Sequence, residues 1–131
     1  MPAKIKINSY KDLIVWQKSM DLVVMVYEIT SQFPQTEIYS LTSQMRRCAI
    51  SIPSNIAEGR YRGTRKDFLR FIRIAFGSGA ELETQVEIAK RLPIGRKINF
   101  SRLDDALSQI MRMLNKMILS LKKPKTYKLT S

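Results

Sequence analysis

Phe68, Ile72, Ala75, Gly79, Leu82, Val86 and Ala89 recur at alternating four- and three-residue steps. That spacing keeps them on one face of an α-helix for about six turns, and it excludes a strand, whose faces alternate every second residue. A helix of that length with a single apolar stripe has to bury the stripe against other helices. No stretch of the chain alternates with period two for long enough to supply a sheet instead. Thr64 and Asp67 form a capping box at its start, and Pro93 and Gly95 mark the turn beyond it, which predicts a helix over about 64–92.

Three further segments carry the same period. The first, predicted over about 10–32, opens on a Ser9/Asp12 capping box and carries Leu13, Trp16, Met20, Val23 and Tyr27. Val24, Val26 and Ile29 widen that stripe, as expected where a helix meets more than one neighbour in a bundle or at a subunit interface. Phe33-Pro34 ends it. The second, about 39–60, buries Leu41, Met45, Cys48, Ile52 and Ile56. Pro53 lies inside it, removing a backbone donor and crowding the Ala49 carbonyl, so a kink or break is expected near Ser51 at a cost of about 3 kcal/mol. Gly59 and Gly63 supply its stop. The fourth, about 100–122, opens on a Ser101/Asp104 capping box and carries Leu103, Leu107, Ile110, Leu114, Met117 and Leu121 until Pro124. Residues 123–131 form a basic polar tail, expected to fray. Helices of about twenty residues span roughly 30 Å, and their short connections require antiparallel neighbours. The fold class is all-α: one domain over residues 1–131, an up-down-up-down four-helix bundle.

Charge bears on partners. The chain carries a formal net charge of +12 with a pI near 10.1, beyond what solubility requires, which points to a polyanionic partner. Residues 60–75 hold six cations, Arg60, Arg62, Arg65, Lys66, Arg70 and Arg73, against Asp67 alone. A second basic block spreads from Arg91 to Lys128. Lys66, Arg70 and Arg73 share a helical face, which Arg62 and Arg65 extend into the preceding turn, and a phosphate backbone matches such a row. Tyr61 is placed to stack on an unpaired base, whereas Phe68, Phe71 and Phe76 fit a core or an interface. The bland counterpart is a solvated helix face, or cations paired with carboxylates of a neighbouring subunit.

Other constellations argue against chemistry. There is no histidine, and the single Cys48 permits no internal disulfide and no common zinc site, so no metal or cofactor is expected. Cys48 fits a small buried hydrophobe beside Ala49. Glu83 and Glu87 stand one turn apart, but Glu87 has Arg91 one turn on as an ordinary partner, and acid-base work without histidine needs a strongly shifted group. An enzyme is therefore not expected. Arg46 and Arg47 flank the buried stripe of the second helix, and one of them is expected to pair with Glu58 or Glu81 in a structural polar network. Gly77-Ser78-Gly79 lies within the continuous helical repeat and is no phosphate loop; close helix packing is the better explanation. The N-terminus lacks the apolar core of a secretory signal and the longest apolar run, Leu22–Tyr27, is too short to span a bilayer, so a cytoplasmic location is expected. Membrane-surface binding is disfavoured because the basic residues adjoin core stripes.

Strings along the chain carry a family likeness. Tyr10-Lys11-Asp12-Leu13 with Trp16-Gln17-Lys18, LTSQMRRCAISIPSNIAEGR from Leu41 to Arg60, and FLRFIRIAFGSGAELETQVEIAKRL from Phe68 to Leu92 resemble the bacterial 23S rRNA intervening sequence proteins. The match covers about Tyr10 to Leu92, with the last helix alike only in pattern. Gly79 and Pro93 depart from it, where a bulkier residue and a glycine are expected. The resemblance implies a four-helix bundle assembled as a homopentamer. It also extends to the accessory protein of diversity-generating retroelements, a basic pentameric barrel that contacts nucleic acid and a reverse transcriptase. The expectation is thus a non-enzymatic oligomer that binds RNA or DNA backbone through Arg60, Arg62, Arg65, Lys66, Arg70 and Arg73. Its rival is a scaffold whose basic face docks an acidic protein.

Overall fold

The apolar periodicity closes into four helices: α1 (Ile14–Thr30), α2 (Leu41–Arg62), α3 (Arg65–Arg91) and α4 (Ser101–Lys122). The structure is a computed structural model and describes residues 9–123. The expected frayed tail beyond Lys123 lies outside the described residues. Single 3-10 turns, Tyr10–Asp12, Gln35–Glu37 and Pro93–Gly95, fill the connections. α1 packs on α2 and α4, α3 packs on α2 and α4, and the diagonal pairs α1/α3 and α2/α4 bring no backbone positions close. Short connections joining neighbours in that cyclic order make an antiparallel up-down bundle. Leu22, Met45, Ile52, Ile56, Ile72, Leu82, Leu103, Ile110 and Leu114 form its fully buried centre.

In α1 the expected stripe is rotated by one position. The buried seam is Val15, Ser19, Leu22, Val26 and Ile29, while Met20 and Tyr27 are exposed and Leu13, Trp16 and Val23 pack at its margin. Ser19 occupies a core position because its hydroxyl donates to the Val15 carbonyl at 2.5 Å and so needs no partner elsewhere. The start differs too. Ser9 accepts from the Lys11 amide and caps the 3-10 turn, and extended Leu13 separates that turn from α1.

α2 is continuous through Pro53 and is not broken. Beside the proline, Asn55 donates to the Ser51 carbonyl at 2.8 Å and the Ser51 hydroxyl at 2.9 Å, and Ser51 and Ser78 share a hydrogen bond of 2.7 Å between α2 and α3. Gly59 does not stop the helix. It is a buried point of close approach, where a Cβ would stand 2.6 Å from the Cβ of Phe71. The stop is Gly63 alone, in the left-handed region at φ 84°.

Thr64 caps α3 as expected, its hydroxyl accepting from the Asp67 amide at 3.1 Å. α4 is opened by a different residue from the one expected. Asn99 Oδ1 takes the Ser101 amide at 2.9 Å and the Ser101 hydroxyl at 2.8 Å, while Asp104 turns to Lys90 of α3 at 2.7 Å. Gly79 accounts for the close packing of α3 on α4, since a Cβ there would overlap the Met111 sulfur. Gly77 has nothing within 4 Å of such a Cβ and is not explained by packing within the chain.

Candidate nucleic-acid interface

Antiparallel packing converts the two basic blocks of the sequence into two poles. The α2–α3 turn and the C-terminal end of α4 meet at one pole, which gathers Arg60, Arg62, Arg65 and Lys66 with Lys122 and Lys123. Arg91, Arg96, Lys97 and Arg102 lie instead at the α3–α4 turn, at the opposite end. Sequence order places Lys122 and Lys123 with the second block. Only the chain direction of α4 moves them to the first.

Within the first pole the expected row divides. Arg65 is committed to the fold: its guanidinium donates to the carbonyls of Leu121 at 3.1 Å, Ser120 at 2.9 Å and Lys123 at 3.0 Å. These carbonyls close the end of α4, the Ser120 one also accepting from the Lys123 amide at 3.4 Å, and the helix dipole there favours a cation. Arg62 binds Glu58 one turn back at 3.0 Å and lies 5.1 Å from the Phe71 ring centroid. Arg70 lies over the same ring at 4.4 Å. Arg60 is partly buried. Lys66 and Arg73 are exposed and form no ion pair or hydrogen bond among the described residues. Tyr61 is 87% exposed, an aromatic face held beside the cations without packing of its own. Phe71 is buried, and Phe68 and Phe76 are partly buried against the core, as their spacing implied.

The expected Arg46/Arg47 network is built from other partners. Arg46 donates to the Thr30 hydroxyl at 2.8 Å and lies 4.3 Å from the centroid of Tyr27, so it ties α2 to α1. Glu58 belongs to Arg62, and no ion pair among the described residues joins Arg46 or Arg47 to Glu58 or Glu81. Glu58 and Glu81 are both exposed, and Glu58 gains more from the cation one turn away than from a long reach across the bundle. Glu87 does reach Arg91, at 3.8 Å, and Lys90 at 3.4 Å. The hydrogen bond to Asp104 raises the Lys90 pKa above its ordinary value, with the nearby carboxylates adding to that shift. Among the described residues no group of histidine, cysteine, aspartate or glutamate converges to hold a metal ion.

Cys48 is 8% exposed and receives a long hydrogen bond from the Gln85 amide at 3.4 Å. Burial pushes its thiol pKa up, an effect that the Gln85 hydrogen bond only partly offsets. At pH 7 the thiolate fraction is therefore below that of a free cysteine. Native protein is expected to react with a thiol reagent many-fold more slowly than urea-unfolded protein. Equal rates in a timed labelling assay would place Cys48 outside the core.

A basic four-helix bundle with cations gathered at both poles is the class that fold and surface define. The family model described as 23S rRNA-intervening sequence protein matches residues 11–116, and the chain belongs to that family. Its crystallographic relatives include a protein of unknown function from the S23 ribosomal protein family of Bacteroides thetaiotaomicron, solved at 1.70 Å. The two share 22% identity and a TM-score of 0.70, over 80% of this chain and 98% of the other, a likeness of fold. No curated protein matches the chain. No helix among the described residues is long and apolar enough to cross a membrane.

Proposed function

We infer that this chain is a non-enzymatic, self-associating bundle that binds the backbone of RNA or DNA at one of its basic poles. The observation that supports this is the meeting of the α2–α3 turn with the end of α4, where Arg65 holds the Ser120, Leu121 and Lys123 carbonyls and so brings Lys122 and Lys123 to the turn that carries Arg62 and the exposed Tyr61. Arg60 and Lys66 belong to the same pole, and Arg70 and Arg73 continue it along α3. Their phosphate contacts would release counterions, so affinity should fall steeply with salt. The homopentamer implied by the family resemblance would repeat the pole around a ring and turn weak single sites into avidity. Arg65 takes a supporting role, fixing the end of α4 so that its lysines are presented.

Fluorescence anisotropy with a labelled short RNA and a labelled short duplex DNA, across a salt series, tests the reading. Binding is expected to weaken at least tenfold between 50 and about 200 mM salt if several phosphates are engaged. Reversing Lys122 and Lys123 to glutamate should weaken it further, and reversing Arg96 and Lys97 at the far pole should not. Affinity indifferent to salt and to both reversals sinks the proposal. The rival reading, a protein-binding scaffold, is favoured by one feature: the exposed face of α3 mixes Leu69 and Ile74 with its cations. Capture of a single acidic protein, unaffected by nuclease treatment, would support it.

A further inference from the structure

Two helices present apolar stripes that the bundle does not cover. On α1 the outward positions are Ile14, Gln17, Met20, Asp21, Val24, Tyr27 and Glu28; Ile14 is 59% exposed and Val24 56%. On α3 the outward face forms an open depression of about 650 Å³ lined by Leu69 and Ile74 with Lys66, Arg70 and Arg73, three cations against Asp67 alone. Apolar side chains exposed singly need no explanation, but a row at helical spacing does.

The two stripes are complementary in charge. Although the chain is strongly basic, α1 carries Asp21 and Glu28 against Lys18 alone, and neither carboxylate has an ion-pair partner among the described residues. Asp21 and Glu28 are two helical turns apart, about 10.5 Å along the axis, with Val24 between them. Lys66 and Arg73, cations of α3 without an ion pair among the described residues, have the same separation, with Leu69 between them. One turn past Arg73 stands Gly77, the interior glycine that no contact within the chain explains. A glycine in open space on a helix face lets a second backbone approach closely.

We propose that the outer stripe of α1, Val24 flanked by Asp21 and Glu28, seats in the α3 depression of a second copy of this chain, between its Lys66 and Arg73 and against its Gly77. The inference rests on the self-association in the proposed function and names the faces that carry it. Because α1 and α3 are diagonal in the bundle, the two faces point in different directions. The contact is therefore heterologous, with each copy offering one face to either neighbour. In the assembled form Lys66 and Arg73 would face protein in place of phosphate, which leaves Arg60, Arg62, Lys122 and Lys123, with Tyr61, for the polyanion.

The test is light scattering on the purified full chain, without nucleic acid, with circular dichroism as the check on folding. Wild type is expected to be larger than one chain, and Val24→Glu and Gly77→Trp are each expected to reduce it to a monomer of unchanged helicity. Mixed in equal amounts, the two variants should form a one-to-one heterodimer that grows no further, because each retains the face the other lacks. Should either variant lose helicity, the surface pairs Asp21→Lys/Glu28→Lys and Lys66→Glu/Arg73→Glu replace them; each alone is expected to be monomeric, and because their reversed charges complement each other at both contacts, the mixture is expected to grow past a dimer. Wild-type oligomers undiminished by either face variant would overturn the face assignment and leave self-association standing. A wild type that remains one chain would overturn self-association itself. Monomeric variants that stay apart when mixed would overturn the pairing of α1 with α3.

Discussion

Gly59→Ala is expected to destabilise the protein by about 1–2 kcal/mol, although alanine is the better helix former by about 1 kcal/mol. The sign reverses because the new methyl would stand 2.6 Å from the Phe71 Cβ and 3.2 Å from Phe68 Cδ1. Neither neighbour can yield cheaply: the Phe71 Cβ moves only with the backbone of α3, and overpacking of this kind costs about 1–3 kcal/mol. Gly79→Ala meets a softer obstacle. The overlapping atom there is the sulfur of Met111, near the end of an unbranched side chain that can turn aside, so a change near zero is expected. Urea unfolding followed by circular dichroism reads both. A higher midpoint for Gly59→Ala would mean that α2 and α3 are not held at the close approach described above.

Apolar spacing made α2, α3 and α4 legible because most of their buried positions are filled by apolar or small residues, Gln85 of α3 being the long polar exception. Met45, Cys48, Ile52 and Ile56, then Ile72, Ala75, Gly79, Leu82, Val86 and Ala89, then Leu103, Leu107, Ile110 and Leu114, all lie where their spacing puts them. α1 misleads because it is apolar on more than one side and a serine takes one of its core positions. Burial follows the face that Ser19 can share by closing on its own helix, and the excess apolar side chains are left outside. Gly59 is ambiguous in the same way, since a glycine serves both as a helix stop and as a contact point, and only the position of α3 decides between them. The basic row is legible as composition. The antiparallel order read from the short connections already returns α4 to the start of α3; what spacing cannot show is that Arg65 is spent there on the carbonyls that end α4.

That return of α4 sets Arg65 and Lys122 against each other as close neighbours with opposite roles. Arg65→Met removes three hydrogen bonds from a charged donor to the last turn of α4, and a stability loss of about 1–2 kcal/mol is expected for this exposed cap. Its direct effect on affinity for RNA or DNA should be small, since a guanidinium engaged with three carbonyls has few donors left for phosphate. Lys122→Met should do the reverse. Its side chain is exposed and makes no ion pair among the described residues, so stability should change by no more than about 0.5 kcal/mol. The slope of log affinity against log salt should become shallower by about one, as expected when one phosphate fewer is neutralised. Melting curves and anisotropy titrations on the same two variants separate the roles. If Arg65→Met were to flatten the salt slope at unchanged stability, Arg65 would leave α4 for phosphate when nucleic acid binds, and the end of α4 would be held by something else.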